Sequence, residues 1–505
     1  MNAGIPWSRW AWWLILAAFL LRFLVVLSAP VDLAGDEAYY WEWGRHLDWG
    51  YFSKPPMIGW LMGLAGWLFG DSEWGIRLMP VLFSSASLSL LFLLTRTGFG
   101  ERAAFWLVPA VLLSPANAAA NLIFTIDAPL VFSWTLALYA AWGYVTDEAC
   151  RGRWAGLLGT ALAFGYLSKQ MMLVFPLLWL VWLLTDRTAR GLLARPLTWA
   201  VLLLPLLALL PPLLWNAAHD WITFQHTGGH FAAKSFTLGR SLSWLAEFVG
   251  SQLGILSPVT WMLLVLSLIA VGAGWSRADR FQRFLWIFSA PALGVFLLLS
   301  LRQRVLPNWP AVYYVSALPL MLGWVFAFAG QLRRTRLQRV FRTGLWIGGG
   351  LTALLYLLLY LSPMLPLERD PFERIRGWEA YGEEVARVQA AHPVDGGREI
   401  LLVVGHRYYA SHLAFYHPDQ PRVHLYESPG HIRSQYGLWE DFRQSGAETA
   451  LVVEARKDGV LPEELVRTWE RIEPLTTLEV PVTPHASRSV RLYRAHGLKT
   501  REGER

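Results

Sequence analysis

Long apolar segments recur through the first 365 residues of this 505-residue chain, and short arginine-rich segments separate them. An apolar run of about 20 residues can cross the hydrocarbon core of a bilayer as a helix. Soluble domains carry about a quarter charged residues, whereas this chain has 16% charged and 54% hydrophobic residues. The pattern excludes a soluble or disordered chain and predicts a polytopic α-helical membrane protein.

Windows of about 20 residues predict about 11 to 13 membrane-spanning helices. The first is interpreted as an uncleaved span rather than a removed signal peptide, because its apolar stretch is longer than a usual signal core. The stretch 243–273 contains Pro258 and is predicted to be kinked or broken. The predicted spans lie near 10–29, 76–96, 103–122, 127–146, 154–168, 170–185, 198–215, 243–273, 281–301, 311–330 and 342–361.

The arginine clusters between alternate spans predict the orientation of the chain. Short loops rich in Lys and Arg stay on the cytoplasmic side, so these loops face inward and the C-terminal tail faces outward. The net charge of +7 is spread over these short loops rather than along one soluble face, which argues against nucleic acid as a partner. The sequence therefore predicts a multi-pass membrane protein, with the lipid bilayer as its surroundings and its C-terminal tail outside.

The tail 366–505 has a different pattern from the membrane domain predicted for 1–365. Short apolar stretches at 400–404, 423–426 and 450–453 are typical of strands. Amphipathic stretches at 378–391, 407–416 and 463–472 favour helices. This alternation predicts a small periplasmic α/β domain, whose role the tail residues do not reveal.

The first outer loop, 30–75, is far too long for a simple connector and is therefore a candidate catalytic segment. Asp36 and Glu37 follow the first span in an aromatic setting that suits the membrane interface. A carboxylate in such a place can act as a general base. The alternative is structural, because acidic residues at the start of a helix cap its amides and favour its dipole.

Several other outer loops carry cations and a carboxylate. Lys54 precedes two prolines, and Lys169 lies at the tip of a predicted hairpin. Arg302 and Arg304 follow the ninth span, and Asp127 lies before the fourth. Ionisable residues at membrane depth are functional candidates. A base with dispersed cations fits an enzyme that activates a hydroxyl group and stabilises a phosphate leaving group.

Metal chemistry has weak support in the sequence. His226 and His230 have the i, i+4 spacing of a metal pair, but Gly228 and Gly229 between them argue against a helix. A divalent metal at these histidines stays an open alternative, and no cofactor is assigned. The single cysteine, Cys150, excludes an intramolecular disulfide.

An ordered set of motifs resembles a known family, and it covers roughly the first 330 residues. The family comprises the C-type membrane glycosyltransferases of the protein O-mannosyltransferase and lipid A aminoarabinose transferase group, which are similar to glycosyltransferase family 39. The motifs are Gly35-Asp36-Glu37-Ala38-Tyr39-Tyr40-Trp41, Lys54-Pro55-Pro56, Gly70-Asp71 with Arg77, Thr125-Ile126-Asp127-Ala128-Pro129, Leu167-Ser168-Lys169 and Asn308-Trp309-Pro310.

The resemblance implies roles for individual residues. Asp36 is the implied base with Glu37 beside it, and Lys54 is implied to contact the donor phosphate. Beyond the resemblance, we expect Arg302, Arg304 or Lys169 to help Lys54 at the phosphate. Asp127 and Glu37 are expected to position the acceptor or these cations, and Tyr39 and Tyr40 are further positioning candidates. Tyr39 departs from the aminoarabinose transferases, which commonly have Arg there, so the sugar is left open.

The resulting prediction is an inverting transferase of the C-type fold that acts on the periplasmic face. It would move a sugar from a polyprenyl-phosphate carrier to an envelope acceptor, either lipid A, another glycolipid or a protein. A transporter or lipid flippase is the alternative, but it predicts charges along the middle of several spans. The ionisable residues here gather at the ends of the spans.

Overall fold

Seven helices in the described part of the computed structural model are long and apolar enough to cross a membrane, or eight if a bent pair is one span. The structure describes residues 5–229, 237–328, 330–365, 367, 370–394, 397–428, 430–456 and 459–499. Helical structure occurs at every predicted span, so the polytopic class is confirmed. Fewer helices pass this length and composition criterion than the roughly 11 to 13 predicted. One helix, Glu73–Leu112, covers two predicted spans, and the helices at 154–168 and 170–185 do not meet the criterion.

The helices before the tail fall into long spans and short connecting pieces. Turns of 3-10 helix link several of them, and a π-helix, Trp324–Phe328, continues α16. The α-helices are α1 (Trp7–Ser28), α2 (Gly35–Arg45), α3 (Met57–Phe69), α4 (Glu73–Leu112), α5 (Pro115–Ala120), α6 (Asp127–Thr146), α7 (Arg151–Ser168), α8 (Val174–Thr185), α9 (Pro196–Leu203), α10 (Leu210–Ala218), α11 (Ile222–Gly229), α12 (Leu238–Leu256), α13 (Pro258–Ala273), α14 (Arg280–Ile287), α15 (Ala290–Leu299), α16 (Ala311–Gly323) and α17 (Gln331–Leu361).

Two breaks follow directly from the sequence. Inside α4, Gly100 has φ of 80°, a left-handed conformation that glycine adopts readily, and it separates the predicted spans 76–96 and 103–122. Between α12 and α13 the chain bends by 107° at Ser257, just before Pro258. The Ser257 hydroxyl accepts the Thr260 amide and so caps α13. The predicted break at Pro258 is confirmed.

The described chain divides into two compact units. The membrane-helix unit comprises the described parts of Met1–Leu27, Lys54–Ile58 and Arg77–Tyr356. The tail unit comprises those of Ser28–Ser53, Gly59–Ile76 and Leu357–Arg505. Most of the first outer loop therefore packs with the C-terminal residues, whereas the predicted topological division at 365 stays a prediction.

The tail unit contains a five-stranded sheet of order β2-β1-β3-β5-β4. The first three strands are parallel, and the last two form an antiparallel hairpin. This α/β arrangement confirms the predicted class of the tail. The elements are α18 (Trp378–Ala391), β1 (Glu399–Val404), α19 (Arg407–Tyr416), β2 (Val423–Leu425), β3 (Thr449–Glu454), α20 (Glu463–Arg467), β4 (Trp469–Thr483) and β5 (Ala486–Leu498).

The predicted helix over 463–472 is wrong in its second half. The helix ends at Arg467, and β4 begins at Trp469, which pairs with Leu498. This pairing joins residues far apart in the sequence, and tertiary pairing overrides local helix propensity. The hairpin of β4 and β5 was not predicted, because its strands lack the short apolar runs of the other three.

Arg376 joins the beginning of the first outer loop to the tail. Its guanidinium donates to the carbonyl oxygens of Pro30, at 2.7 Å, and Leu359, at 2.6 Å. It also forms an ion pair of 2.9 Å with Asp370, and both side chains are at most 6% exposed. Nearby, Asp32 accepts the amide of Trp378 at 2.5 Å. Buried charge and hydrogen bonding thus hold the loop within the tail unit.

Replacing Arg376 by Met should destabilise the tail unit by about 3 to 5 kcal/mol, because it leaves the Asp370 carboxylate buried without its partner. Thermal unfolding of the purified protein in detergent, followed by tryptophan fluorescence, measures the loss. Arg374→Met, two residues away at an exposed position, is the matched control and should change little. Equal unfolding midpoints for the two variants would contradict this role.

Candidate active site

Glu37 lies in the first turn of α2 and caps the start of that helix. Its side chain is fully buried, and Oε2 accepts the amide of Ala34 at 2.8 Å. A carboxylate in the first turn also favours the helix dipole. The structural interpretation of Glu37 therefore has direct geometric support, and a catalytic role for it stays a prediction.

Asp36, the next residue towards the N-terminus, lies in a different environment. Its side chain is 44% exposed, and Oδ1 accepts the Tyr408 hydroxyl at 3.1 Å. Arg407 Nη2 forms an ion pair with the same oxygen at 3.5 Å. A half-exposed carboxylate that is oriented by a donor and a cation can accept a proton from a bound hydroxyl group.

Tyr408 and Gly35 fix this arrangement. A Cβ at Gly35 would lie 2.5 Å from the Tyr408 ring, so only glycine allows the ring to lie against the start of α2. Burial, followed by the negative charge of Asp36, raises the pKa of Tyr408 to about 12. The phenol therefore stays protonated at neutral pH and acts as a hydrogen-bond donor to Asp36.

Tyr39 and Tyr40 are 1% and 4% exposed within the tail unit. The Tyr39 hydroxyl accepts the Gln435 amide at 2.5 Å. The Arg407 guanidinium lies 4.9 Å from the centre of the Tyr39 ring and 5.0 Å from that of Tyr408. Tyr39 is therefore a platform that supports Arg407 by cation–π contact, and acceptor positioning by the two tyrosines stays a prediction.

The third acidic residue of α2, Glu42, is enclosed by the tail unit. Its side chain is 1% exposed, and its carboxyl Oε2 accepts the Tyr436 hydroxyl. Burial raises the pKa of Glu42 to about 8. The carboxyl group is therefore largely protonated at neutral pH and is a structural, pH-sensitive element of the tail unit.

The membrane-helix unit brings three predicted motifs together. Lys169 Nζ lies 2.7 Å from Asp127 Oδ1, and Asn308 Nδ2 donates to Asp127 Oδ2 at 2.6 Å. Both oxygens of this carboxylate are therefore engaged. The Lys169 and Asp127 side chains are only 16% and 20% exposed, so the ion pair is partly shielded from water and stiffens the junction of three loops.

The other cations predicted to contact phosphate are Lys54, Arg302 and Arg304, and they differ in their exposure and partners. Lys54 is half-buried in the bend before α3. Arg302 is exposed, and Arg304 is 63% exposed and paired with Glu247. Arg304 is thus already engaged by a carboxylate, and its predicted contact with phosphate would require exchange of that partner.

The metal alternative gains no support in the described parts of the chain. These contain no group of three or more His, Cys, Asp and Glu side chains that could hold a metal ion. His226 lies in α11, and His230 falls outside the described residues.

Known proteins resemble this chain in sequence and in fold. The family model for dolichyl-phosphate-mannose-protein mannosyltransferase matches residues 53–215. Lipid A galacturonosyltransferase RgtD of Rhizobium johnstonii is 28% identical over 396 residues, which cover 77% of this chain and 79% of that protein. The undecaprenyl phosphate-alpha-4-amino-4-deoxy-L-arabinose arabinosyl transferase of Edwardsiella ictaluri is 25% identical over 343 residues, 63% of this chain and 60% of that protein.

A solved structure extends the likeness to nearly the whole fold. ArnT from Cupriavidus metallidurans, bound to undecaprenyl phosphate, matches with a TM-score of 0.63 and 18% identity over 96% of this chain and 98% of that chain. These similarities, together with the motifs, support a C-type membrane glycosyltransferase of the protein O-mannosyltransferase and aminoarabinose transferase group.

Sequence reasoning missed two residues that contact the candidate base. Arg407 and Tyr408 begin α19 directly after β1, and they contact Asp36 from more than 370 positions away. A local signal was present, since a buried strand followed by Gly405 and then by basic and aromatic residues places side chains at a strand's carboxyl end. Without the fold, no feature of the sequence linked the carboxyl end of this strand to the first outer loop.

The pH dependence of stability should reveal Glu42. Its pKa is raised by burial from 4.5 to about 8, so between these pH values the folded transferase holds a proton that the unfolded chain has released. Stability should therefore fall as the pH rises from about 5 to 8, by a few kcal/mol at roughly 1.4 kcal/mol per pKa unit.

Glu42→Gln keeps a neutral group in place and should flatten this dependence. Unfolding midpoints in detergent, measured from pH 5 to 8.5, provide the comparison. Glu463→Gln, at a position 86% exposed, is the control and should keep the wild-type slope. An unchanged slope in Glu42→Gln would assign the pH dependence to other groups.

Proposed function

We propose that this transferase moves a sugar from a polyprenyl-phosphate carrier to lipid A on the periplasmic face of the bacterial inner membrane. The observation that carries the proposal is the half-exposed Asp36 carboxylate, which Arg407 and Tyr408 orient. The similarity to a lipid A galacturonosyltransferase, and to a transferase named for an undecaprenyl-phosphate sugar, supports this donor and acceptor. Another glycolipid or a protein is a secondary acceptor to test.

In the proposed reaction, Asp36 accepts the proton of an acceptor hydroxyl group. The acceptor oxygen then bonds to the anomeric carbon of the sugar, and the bond from that carbon to the carrier phosphate breaks. Polyprenyl phosphate leaves with the bonding electron pair, and attack from the opposite face inverts the anomeric configuration. Arg407 and Tyr408 orient the Asp36 carboxylate through their contacts with its Oδ1.

The cations of the membrane-helix unit are assigned to the donor phosphate. Lys54 is the first of these, because a lysine holds phosphate as a point charge. Lys169 is held by Asp127, and Asn308 holds the other oxygen of that carboxylate. We therefore assign Asp127 the positioning of Lys169. Arg302 and Arg304 are assigned secondary roles, the latter after release from Glu247.

Transport is not favoured as an alternative. Arg22 lies inside a predicted span, where it donates to Asn117 and, at 3.2 Å, to Ser84. This buried arginine has neutral polar partners and is accounted for by helix packing. The named relatives are transferases.

Asp36→Asn should lower kcat by about 100- to 10,000-fold, since the amide cannot accept the proton. The assay follows radiolabelled sugar from purified polyprenyl-phosphate donors to an envelope lipid extract. Asp441→Asn is a matched control, because both aspartates are 44% exposed and paired with an arginine. Turnover of Asp36→Asn within about threefold of wild type would remove Asp36 from the role of base.

Lys54→Ala should raise the donor KM about tenfold or more, because one charge-assisted contact to phosphate is lost. The acceptor KM should stay close to that of wild type. Lys499→Ala, at an exposed position in the tail unit, is the control for removal of a lysine charge. Unchanged donor saturation would contradict the contact between Lys54 and phosphate.

A further inference from the structure

A cleft of about 340 Å³ opens at the carboxyl ends of β1, β2 and β3 in the tail unit. The chain leaves β1, forms α19 and returns as β2 on one side of β1, whereas β3 lies on the other side. Ligands of open α/β sheets bind at such switch points, where connections leave neighbouring strands in opposite directions. The cleft is therefore at the position where this kind of sheet places a binding site.

The cleft is lined by three arginines from different segments. Arg407 follows β1, Arg456 follows β3, and Arg433 lies in the loop after β2. Arg407 pairs with Asp36 at 3.5 Å, and Arg456 pairs with Glu454 at 3.9 Å. The Arg433 side chain is exposed. Guanidinium groups from three loops thus face one small space.

The other titratable groups in the cleft do not balance this charge. Glu427 accepts the Arg433 amide at 2.9 Å and the Ser434 hydroxyl at 2.7 Å, and burial raises its pKa. Burial, followed by the charge of Arg407, lowers the pKa of His406, so this side chain is neutral at pH 7. The lining therefore carries a net positive charge.

Arg407 connects the cleft to the proposed base, since the same guanidinium lines the cleft and pairs with Asp36. We propose that the cleft binds an anionic substituent of a sugar substrate, through Arg407, Arg433 and Arg456. The substituent is either the carboxylate of a uronosyl donor or the phosphate of the lipid A headgroup. This inference rests on the proposed function and deepens it by naming the charge of the substrate.

The size and chemistry of the cleft support this class of ligand. Pockets for small ligands span about 300 to 1,000 Å³, so this cleft suits one sugar with its charged group rather than a lipid. The planar guanidinium matches carboxylate and phosphate oxygens in paired hydrogen bonds. A cationic amino sugar would meet repulsion there, so this transferase should prefer an acidic sugar to an aminoarabinosyl group.

Direct binding tests the cleft without any turnover. Saturation-transfer NMR with the purified full-length protein in detergent compares galacturonate with galactose, and N-acetylglucosamine 1-phosphate with N-acetylglucosamine. The anionic member of at least one pair should bind about tenfold more tightly. Preference within the first pair assigns the donor, and preference within the second assigns the acceptor. Equal binding within both pairs would overturn the inference.

Arg433→Gln is the decisive variant, because it removes an exposed guanidinium and keeps the backbone amide that Glu427 accepts. The preference for the anionic sugar should fall to about twofold or less in this variant. Arg467→Gln, 79% exposed in the same unit, should keep the wild-type preference. A preference that survives Arg433→Gln would overturn the assignment to this cleft. Arg456→Gln is a supporting variant only, since Arg456 also pairs with the buried Glu454.

Transfer assays separate this inference from the proposed function. If wild type transfers sugar, Arg433→Gln should raise KM about tenfold for the charged substrate alone, with kcat nearly unchanged. An unchanged KM for both the uronosyl donor and phosphorylated lipid A would overturn the cleft's role in catalysis. If wild type transfers no sugar from any donor, the proposed function fails, while the binding comparison still decides whether the cleft is an anion site.

Discussion

The packing of α2 against α19 is the constraint on which the proposed chemistry depends. Gly35 allows the Tyr408 ring to lie against the start of α2, and the Tyr408 hydroxyl then reaches Asp36. His412 and Tyr416, also in α19, contact the carbonyl and amide of Leu33. The chain leading into α2 is therefore held by the C-terminal residues. In the proposed function, the tail therefore orients the candidate base.

The two outer-loop aspartates differ through their surroundings rather than their sequence. Asp127 has both oxygens engaged, by Lys169 and Asn308, and is 20% exposed. Asp36 is 44% exposed, and the contacts found for it fall on one oxygen. A fully engaged carboxylate positions its partners, whereas a partly exposed one can receive a proton. This contrast supports the proposed roles, Asp36 as the base and Asp127 as a positioning residue.

Much of the fold could be predicted because its signals are local. Apolar length identified the spanning helices, and Pro258 identified the break between α12 and α13. The three parallel strands were found within two residues of their ends. The β4–β5 hairpin was missed, because its strands are largely exposed or half-buried and lack the short apolar runs of the other three. The contacts of Asp36 with Arg407 and Tyr408 were missed because they join residues more than 370 positions apart.

The sequence by itself determined the membrane class, the family and the candidate base, since apolar length, motif order and residue type can all be read along one chain. Tertiary structure alone decided which carboxylates are buried, which have both oxygens engaged by partners and which stay accessible. Glu37 and Asp36 are neighbours in sequence, yet one caps a helix in the core and the other lies half-exposed beside Arg407. Burial and charge pairing depend on side chains contributed by distant segments, and only folding brings those segments together.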